Sequence, residues 1–427
     1  MGNSQLPFFE QWSEMLTPGG DAGRTEDEGD VRTASAWATD SNTRDAVSKA
    51  YAALSERLGG APRYLVVHAS VTHDLAEIAT TLRALAPGVP VHGGTSCLGV
   101  MTEEGFHSDG GTGLGMFGVL DPDGAYGVGS AENEGDPAKA AADAARAAIE
   151  RAGRAGEAPA MLWITGTPGH EERTLAALAS VVGPNVPVAG GSAADNDVSG
   201  HWSQFTSEAV HRQGVVVSAL YPSSNVVFHF HSGYDPTSTR ARITRGSGRR
   251  IDELDGEPAA VVYNRWLGGA LSDALAAGGN ILPRTTLQPL GRVAGHVGDV
   301  AYHQLIHPDS ITKEGALTLF ADVTEGEELV LMRGSPESLV TRAGRVARSA
   351  VEQSGAPEKK PLGALVIYCA GCMLTIRERM DDVVKSIDEG LSGQPFLGAF
   401  TFGEQGCLMS GKNRHGNLMI SVLAFMP

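Results

Sequence analysis

The sequence is poor in cysteine and in long apolar runs. Its 427 residues contain only four cysteines, too few for a disulfide framework, so we expect a reducing compartment. No apolar run approaches the roughly 20 residues that span a bilayer. The N-terminus has no basic patch followed by an apolar segment, so we expect no secretory signal. These absences together predict a cytoplasmic protein without a membrane partner.

Basic residues are scarce relative to acidic ones. The chain has 33 Lys and Arg against 50 Asp and Glu, a formal net charge of −17, and such a surface repels phosphate backbones. The densest basic stretch, residues 240–250, is followed at once by Asp252, Glu253 and Asp255. We therefore interpret this stretch as a solvated loop. The charge balance argues against a nucleic-acid partner.

Glycine, in contrast, is abundant, with 55 residues in a chain whose expected share is roughly 7%. The glycines cluster at the ends of apolar runs, which is typical of tight turns and close backbone approach. The apolar fraction of 42% is that of a globular protein, and the length predicts two domains. Only residues 1–30, which are acidic and glycine-rich, have few apolar side chains to bury, so we predict a disordered tail there.

The most informative feature is an internal repeat. In its first copy, residues 64–96, a buried-looking strand is followed by a helix and by a second strand that ends on glycines. Residues 161–192 repeat this pattern, and residues 364–403 form a third, more divergent copy whose helix runs to about residue 390. Each copy predicts two parallel strands joined by a right-handed crossover helix.

Further elements are expected around these copies. Apolar residues recur at helical spacing over residues 45–58, and residues 137–155 are rich in alanine, so both stretches predict helices. We therefore predict an α/β protein of two modules, built from repeated strand–helix–strand units, with mixed, largely parallel sheets extended by antiparallel strands. These additional strands are expected over residues 113–120, 214–221, 226–231, 316–322, 329–333 and 417–425.

The glycine-rich strand ends are the first candidate site. Ligands of parallel sheets bind beyond the carboxyl ends of the strands, and glycines there would let backbone N–H groups face a ligand. Glu404 follows the third such end, and a carboxylate there suits an ammonium group, as in an amino acid, or a hydroxyl. An exposed, solvated side chain is the other interpretation of Glu404. A ligand that closes the two modules over this cleft would raise the population of the closed arrangement at the expense of the open one. The candidate ligand-binding residues are Gly93, Gly94, Thr95, Ser96, Cys97, Gly190, Gly191, Ser192, Asp195, Cys369, Phe402, Gly403 and Glu404.

A second candidate site is the Cys-x-x-Cys motif formed by Cys369 and Cys372, at a predicted strand end before a helix. A helix N-terminus lowers the pKa of a thiol, so the pair suits a redox dithiol or a thiol-dependent enzyme. A pocket or structural thiol is the other interpretation. Zinc would need two more ligands, whereas Cys97 and Cys407 are single, so we expect no metal site.

Five segments, taken in order, resemble the FIST sensory proteins, which have an N-terminal and a C-terminal module. The resemblance covers residues 31–427 and implies modules at residues 31–255 and 256–427. The segments are Val89-Pro90-Val91-His92-Gly93-Gly94-Thr95-Ser96-Cys97, residues 187–195, residues 243–259, residues 315–333 and Phe400-Thr401-Phe402-Gly403-Glu404.

The resemblance implies a sensory, signal-transducing protein more than an enzyme, with no catalytic residue and no required cofactor. It also implies a small ligand such as an amino acid, and an output that passes to a downstream signalling protein in trans. Because some relatives bind haem and report nitric oxide, a haem sensor is the alternative. Its axial ligand would come from His68, His73, His92, His107, His229 and His231, the last two sharing one face of an alternating strand.

Overall fold

The computed structural model describes residues 30–297 and 299–427 as a mixed α/β protein with four β-sheets. The tail predicted for residues 1–30 lies, apart from Asp30, outside the described residues. The predicted α/β class and its mixed sheets are confirmed. None of the described helices combines the length and the apolar character that crossing a membrane requires.

Two successive repeats open the fold. Each consists of a strand, a helix, a strand, a second helix, a strand, a short hairpin and a last strand. The first comprises β1 (Arg32–Ala38), α1 (Thr43–Leu58), β2 (Tyr64–Ala69), α2 (Leu75–Leu85), β3 (Val91–Thr95), β4 (Val100–Thr102), β5 (Gly105–His107) and β6 (Leu114–Leu120). The second comprises β7 (Ala125–Glu132), α3 (Pro137–Arg151), β8 (Met161–Gly166), α4 (Glu171–Val182), β9 (Val188–Ser192), β10 (Gln204–Phe205), β11 (Val210–His211) and β12 (Gly214–Tyr221).

The third repeat is split after its first strand, β13 (Asn225–His231), by an insertion that carries its own sheet. The insertion comprises β14 (Asp235–Leu254), β15 (Glu257–Pro258), α5 (Ala259–Trp266), α6 (Ser272–Ala277), β16 (Gly279–Asn280), α7 (Leu282–Thr285), β17 (Leu290–Val297), β18 (Val300–Ile306), β19 (Pro308–Ile311), β20 (Leu317–Thr324) and β21 (Glu328–Arg333). The repeat resumes with α8 (Pro336–Glu352), β22 (Gly363–Cys369), α9 (Ala370–Thr375), α10 (Met380–Gly390), β23 (Phe396–Thr401), β24 (Glu404–Cys407), β25 (Asn413–Gly416) and β26 (Ile420–Met426).

Local sequence signals explain where the helices begin and end. Helix α1 starts where the side chain of Asn42 accepts the backbone N–H of Asp45 at 3.0 Å, and it stops at Gly59, whose φ of 69° is left-handed. Helix α2 starts at Asp74, whose side chain caps two backbone N–H groups. The apolar stripe predicted over residues 45–58 is fully buried.

Each repeat contributes four strands to one of three six-stranded sheets, and the three sheets have equivalent strand orders. The sequence predicted largely parallel sheets, yet among the described strands only the central pairs β2–β3, β8–β9 and β22–β23 are parallel. The other strands enter through hairpins or reversals and pair antiparallel. The orders are β1-β6-β2-β3-β10-β11, β7-β12-β8-β9-β24-β25 and β13-β26-β22-β23-β4-β5.

The short hairpins are exchanged cyclically between the sheets. Hairpin β4–β5 of the first repeat joins the third sheet, β10–β11 of the second joins the first, and β24–β25 of the third joins the second. Side chains from all three sheets share one apolar core, in which Val66, Trp163 and Ile367 are buried. The hairpins therefore tie together strands that lie hundreds of residues apart in sequence.

Most predicted elements are present, with two differences. All six additional strands occur, as β6, β12, β13, β20, β21 and β26. The single helix predicted in the third copy is interrupted between α9 and α10, where the Thr375 hydroxyl donates to the Gly371 carbonyl and Ile376 turns into the core. The solvated loop predicted over residues 240–250 is wrong, because this stretch lies within β14 and its arginines pair with acidic residues.

Candidate functional site

The three glycine-rich strand ends, which follow β3, β9 and β23, meet at one place that we call the junction. They bond directly to one another through the backbone, so each repeat contacts the next. The bonds, donor first, are Cys97 N to the Phe400 carbonyl (3.1 Å), Ala194 N to Thr95 (3.0 Å), Ser192 N to Gly403 (2.8 Å) and Phe402 N to Ser192 (3.1 Å). The structure thus brings the sequence-predicted residues of all three copies together.

The glycines of the junction are covered by neighbouring side chains. Gly93-Gly94 and Gly190-Gly191 lie inside β3 and β9, not in turns. The Thr165 methyl group packs where a side chain of residue 94 would stand, and Thr401 does the same at Gly191. The expectation that these glycines turn backbone N–H groups towards a ligand is wrong, because they serve close packing between repeats.

The polar side chains of the junction also form hydrogen bonds to other groups of the same chain. Ser96 is fully buried; its hydroxyl donates to the Gly99 carbonyl at 2.5 Å and accepts the N–H of Phe400 at 2.8 Å. Asp195 is fully buried and accepts N–H groups from the following loop, that of Val198 at 2.6 Å. Two further bonds run from Ser203 N to Thr95 Oγ1 (3.1 Å) and from Ser192 Oγ to Glu171 Oε1 (2.7 Å). These contacts indicate a structural role for the junction, which holds the repeats together.

Glu404 is buried, not exposed. As the first residue of β24 it accepts hydrogen bonds from the Thr401 hydroxyl and from the N–H of Met419, each at 3.0 Å. Burial raises the pKa of its carboxyl well above the ordinary value, which favours the protonated form. The expectation of an exposed carboxylate that binds an ammonium group is therefore wrong.

A second group of chemically active residues, the thiol cluster, surrounds Arg342 of α8. This arginine is fully buried, and its guanidinium lies between the rings of Tyr234 and Tyr368, at 5.3 and 5.2 Å from their centroids. Its Nη1 donates to the carbonyls of Ser232 and Leu418, at 2.7 and 2.9 Å. Within the described residues, its Nε and Nη2 have no hydrogen-bond partner and no carboxylate forms an ion pair with it.

Two thiols of the cluster are close enough to Arg342 for its charge to act on them. Cys369 ends β22 and Cys372 lies in the first turn of α9, as the sequence predicted for the Cys-x-x-Cys motif. Burial raises the pKa of the Cys372 thiol, but the hydrogen bond from Cys369 and the charge of Arg342 outweigh it and lower that pKa to about 6. The hydrogen bond to Cys372, together with burial, raises the pKa of Cys369. The Tyr234 hydroxyl lies 3.7 Å from the Cys372 sulfur.

A cavity of about 400 Å³, the α8 cavity, opens between the end of β13 and one face of α8. Tyr234 and Arg342 of the thiol cluster form part of its wall, so the cavity and the thiols share two residues. The ionisable lining includes two arginines and one carboxylate. The lining residues are His229, His231, Gly233, Tyr234, Asp235, Ser338, Arg342, Arg345, Val346 and Ser349.

The two histidines of the α8 cavity are neutral hydrogen-bond donors. Their rings stack at 6.1 Å, on the shared strand face that the sequence predicted. His229 Nδ1 faces the Gln353 side-chain amide nitrogen at 2.6 Å, and His231 Nδ1 accepts the N–H of Gly233 at 2.9 Å, so the proton of each neutral ring sits on Nε2. Burial lowers the pKa of both imidazoles to about 4, and both remain uncharged at neutral pH.

Two groups of described acidic and histidine residues have ligand atoms close enough for a metal ion. In the first, Glu171, Glu172 and His415, the place between the carboxylates is taken by Arg249, whose Nη2 lies 2.5 and 3.0 Å from their oxygens. The second group is Asp195, Asp197 and His201, in which Asp195 already binds backbone N–H groups. Both arrangements serve ion pairing and loop folding.

The comparisons with known proteins agree with this architecture. A FIST N domain model matches residues 63–257, and a FIST C domain model matches residues 259–407. The chain belongs to the FIST family. FIST domains are recognised as sensory and signal-transduction modules, and the resemblance drawn from the five sequence segments is thereby confirmed.

Individual relatives of this FIST protein are distant. It is 28% identical over 161 residues to an uncharacterized protein of Methanocaldococcus jannaschii, covering 36% of this chain and about a third, 31%, of that protein. Among solved structures, it is similar to PurLQS from Thermotoga maritima, at 9% identity and a TM-score of 0.22 over 71% of this chain and 72% of the other. T. maritima PurL complexed with FGAR gives 10% identity and a TM-score of 0.23 over 93% and 73%.

The haem alternative stays a prediction, because its six candidate histidines differ in whether a ring nitrogen is free: His68 Nε2, for example, has no hydrogen-bond partner among the described residues. A porphyrin needs an imidazole with a free nitrogen beside a flat, apolar slot. His92 uses both ring nitrogens, towards Ser218 and Thr165, and His73 also uses both. His229 and His231 line the α8 cavity, but hydroxyls, guanidinium groups and a carboxylate share its wall.

Apart from His229 and His231, sequence reasoning missed the residues that line this cavity. Ser338, Arg342, Arg345 and Ser349 follow one another at helical spacing along α8, a signal that is readable as a polar stripe. Tyr234 sits at the entry to the inserted sheet, next to Gly233. No local pattern links this tyrosine to a helix that begins about one hundred residues later, so only the fold brings them together.

Proposed function

We propose that this FIST protein senses a small zwitterionic or anionic molecule, with an amino acid as the type example, and binds it in the α8 cavity. The observation that supports the proposal is the polar wall of this cavity, which combines guanidinium groups, neutral imidazoles, serine hydroxyls and one carboxylate. A volume of about 400 Å³ suits a ligand of amino-acid size.

The charges of the cavity wall suit the two ends of an amino acid. Arg345 is exposed on α8 and offers a planar guanidinium for a carboxylate, the geometry that favours bidentate recognition. Asp235, the first residue of β14, is exposed and offers a carboxylate for an ammonium group. A simple anion would use only the first of these contacts.

The neutral histidines add specificity without charge. His229 and His231 present Nε2–H groups because their Nδ1 atoms accept hydrogen bonds from the protein. Since both remain uncharged at neutral pH, they hydrogen-bond to a ligand oxygen without the cost of burying a charge.

Helix α8 is the element through which binding would be reported. It carries cavity residues on one face, and it packs against β13, β26 and α10 of the third repeat. A ligand that bridges α8 and the end of β13 would favour one arrangement of these elements. We propose that a partner protein in trans reads that arrangement.

A thermal-shift screen of the purified, full chain with the twenty amino acids and simple carboxylates tests the proposal. The best compound is then titrated by calorimetry against the wild type and Arg345→Ala. Loss of a charge-assisted contact weakens binding by roughly ten- to a hundredfold. Arg348→Ala, on the same helix but outside the cavity lining, is the matched control and should bind like the wild type.

Two outcomes contradict the proposal. One is a screen in which no compound raises the melting temperature of the folded protein. The other is equal weakening by Arg345→Ala and Arg348→Ala, because that result would reflect the overall charge of α8 and not a contact in the cavity.

A further inference from the structure

The thiol cluster contains a pair of cysteines that takes no part in the proposed ligand binding. Cys369 is the last residue of β22 and Cys372 lies in the first turn of α9, and both thiols are free and buried. The two other cysteines, Cys97 and Cys407, are single and buried, and burial raises the pKa of both thiols to about 12. The chain therefore carries one activated thiol pair and two inert thiols as internal references.

The electrostatics of Arg342 require an anion at this place. A fully buried guanidinium is costly unless it is paired, and no carboxylate of the described residues forms that pair. Glu404 approaches the cluster, but its buried carboxyl favours the protonated, neutral form. The Cys372 sulfur is the group that most raises the pKa of Arg342 against the effect of burial. A thiolate at Cys372 would supply the negative charge that Arg342 lacks.

We propose that Cys369 and Cys372 form a redox-active dithiol that a hydroperoxide converts to an intramolecular disulfide, with Cys372 as the attacking thiolate. The proposal stands on two buried cysteines placed three residues apart, at the end of β22 and in the first turn of α9. It also stands on the buried Arg342, whose Nε and Nη2 have no hydrogen-bond partner among the described residues. It goes beyond ligand sensing and gives the protein a second input, an oxidant.

The reaction proceeds in two balanced steps. First, the Cys372 thiolate attacks one oxygen of hydrogen peroxide; an S–O bond forms, the O–O bond breaks, and hydroxide leaves. Next, the Cys369 sulfur attacks the sulfur of the resulting sulfenic acid; an S–S bond forms, the S–O bond breaks, and the hydroxyl leaves as water with the proton of the Cys369 thiol. The two sulfurs together lose two electrons, which reduce the peroxide.

Burial selects the oxidant by size. Cys372 is fully buried and Cys369 is 7% exposed, so a molecule as small as hydrogen peroxide is a suitable oxidant and a bulky alkylating reagent is not. Oxidation removes the thiolate and leaves Arg342 without its counter-ion. Because Arg342 also lines the α8 cavity, the oxidised protein would carry an unpaired positive charge at the wall of the ligand site.

Mass spectrometry after treatment with hydrogen peroxide tests the proposal on the reduced, folded full chain. We expect the peptide containing Cys369 and Cys372 to lose two hydrogens while those containing Cys97 and Cys407 stay unchanged. Cys369→Ser should stop at a sulfenic acid, seen as a gain of one oxygen and trapped by dimedone once the chain is unfolded. Cys372→Ser should not react, and Cys407→Ser should react like the wild type. The rate at pH 7 and at pH 8 should be nearly equal, because the attacking thiol is already ionised.

Two results would contradict the proposal of a redox-active dithiol. A pair that stays reduced while free glutathione in the same tube is consumed has no activated thiolate. Oxidation of Cys97 or Cys407 at the same rate shows unspecific chemistry instead. These readouts come from the wild type itself, so they hold even where a cysteine variant fails to fold. They are also independent of the amino-acid titration, so either proposal can fail alone.

Discussion

At the scale of the residue, the most consequential contact outside the candidate site joins Glu171 to Arg249. Glu171 is 4% exposed and accepts hydrogen bonds from Ser192 at 2.7 Å and from Arg249 at 2.5 Å. Burial raises the pKa of its carboxyl, but His415, Arg249 and Ser192 outweigh that effect and lower it to about 2. The contact ties α4 of the second repeat to β14 of the inserted sheet.

Replacing Arg249 by methionine should therefore destabilise the protein strongly. Removal of one partner leaves the Glu171 charge buried without compensation, which costs about 3 to 5 kcal/mol. The measurement is the free energy of unfolding in urea at pH 7. Arg265→Met is the matched control, because Arg265 and Glu257 are both exposed and their ion pair should contribute almost nothing.

The double variant Arg249→Met with Glu171→Gln separates charge from packing. It should regain a large part of the lost stability, because no uncompensated charge remains. Equal stabilities for Arg249→Met and Arg265→Met would show that the buried ion pair does not hold α4 to β14.

At the scale of the element, the glycines of the central strands decide how closely the repeats pack. Gly190 has a φ of 147°, and the Ile164 carbonyl of the parallel neighbour β8 lies where its Cβ would stand. A side chain is thus excluded both by conformation and by space. These strand glycines were predicted to face a ligand, whereas the structure uses them to let strands and side chains approach.

Gly190→Ala should destabilise the fold by about 3 kcal/mol or more, because strain and overpacking add at this position. Gly166→Ala, at the end of the adjacent strand β8, is the matched control. A Cβ at residue 166 would meet only the Val215 side chain at 3.9 Å, an ordinary contact, so this variant should remain within about 1 kcal/mol of the wild type. Urea unfolding of both variants checks the difference, and equal effects would contradict the role of Gly190.

At the scale of the whole molecule, buried neutral histidines make the fold sensitive to acid. Burial lowers the pKa of His68, His107, His229 and His231 to about 4, and that of His307 to about 3. Unfolding exposes these rings, whose pKa then returns to about 6.5. Between pH 6.5 and pH 4 the unfolded chain therefore binds more protons than the folded one, and stability falls as pH decreases.

The free energy of unfolding should accordingly be highest above pH 6.5 and drop steeply towards pH 4. Each such histidine contributes a slope of about 1.4 kcal/mol per pH unit. Glu404 acts in the opposite direction, since its raised pKa makes the folded state bind a proton first, but it is a single group. Urea unfolding at pH 7, 6 and 5 measures the slope. A stability that does not change over this range would mean that the rings are not held neutral.

The helices and strands, and the way in which they repeat, were predictable from the amino-acid sequence. Three strand–helix–strand copies, the buried stripe of α1 and the placement of Cys369 and Cys372 between a strand and a helix were all predictable. They were predictable because hydrophobic periodicity, helix caps and glycine positions act between residues that are close in the chain.

The contacts between these elements were not predictable from local sequence and depend on the tertiary fold. It exchanges the hairpins cyclically, closes the glycine-rich strand ends into a junction and buries Glu404. It also brings Tyr234 to Cys372, 138 positions away, and places Arg342 beside Tyr234 at the wall of the α8 cavity. The reason is physical: burial and pairing of a charge depend on partners distant in sequence, and those partners alone fix whether a carboxyl is neutral or a thiol is ionised.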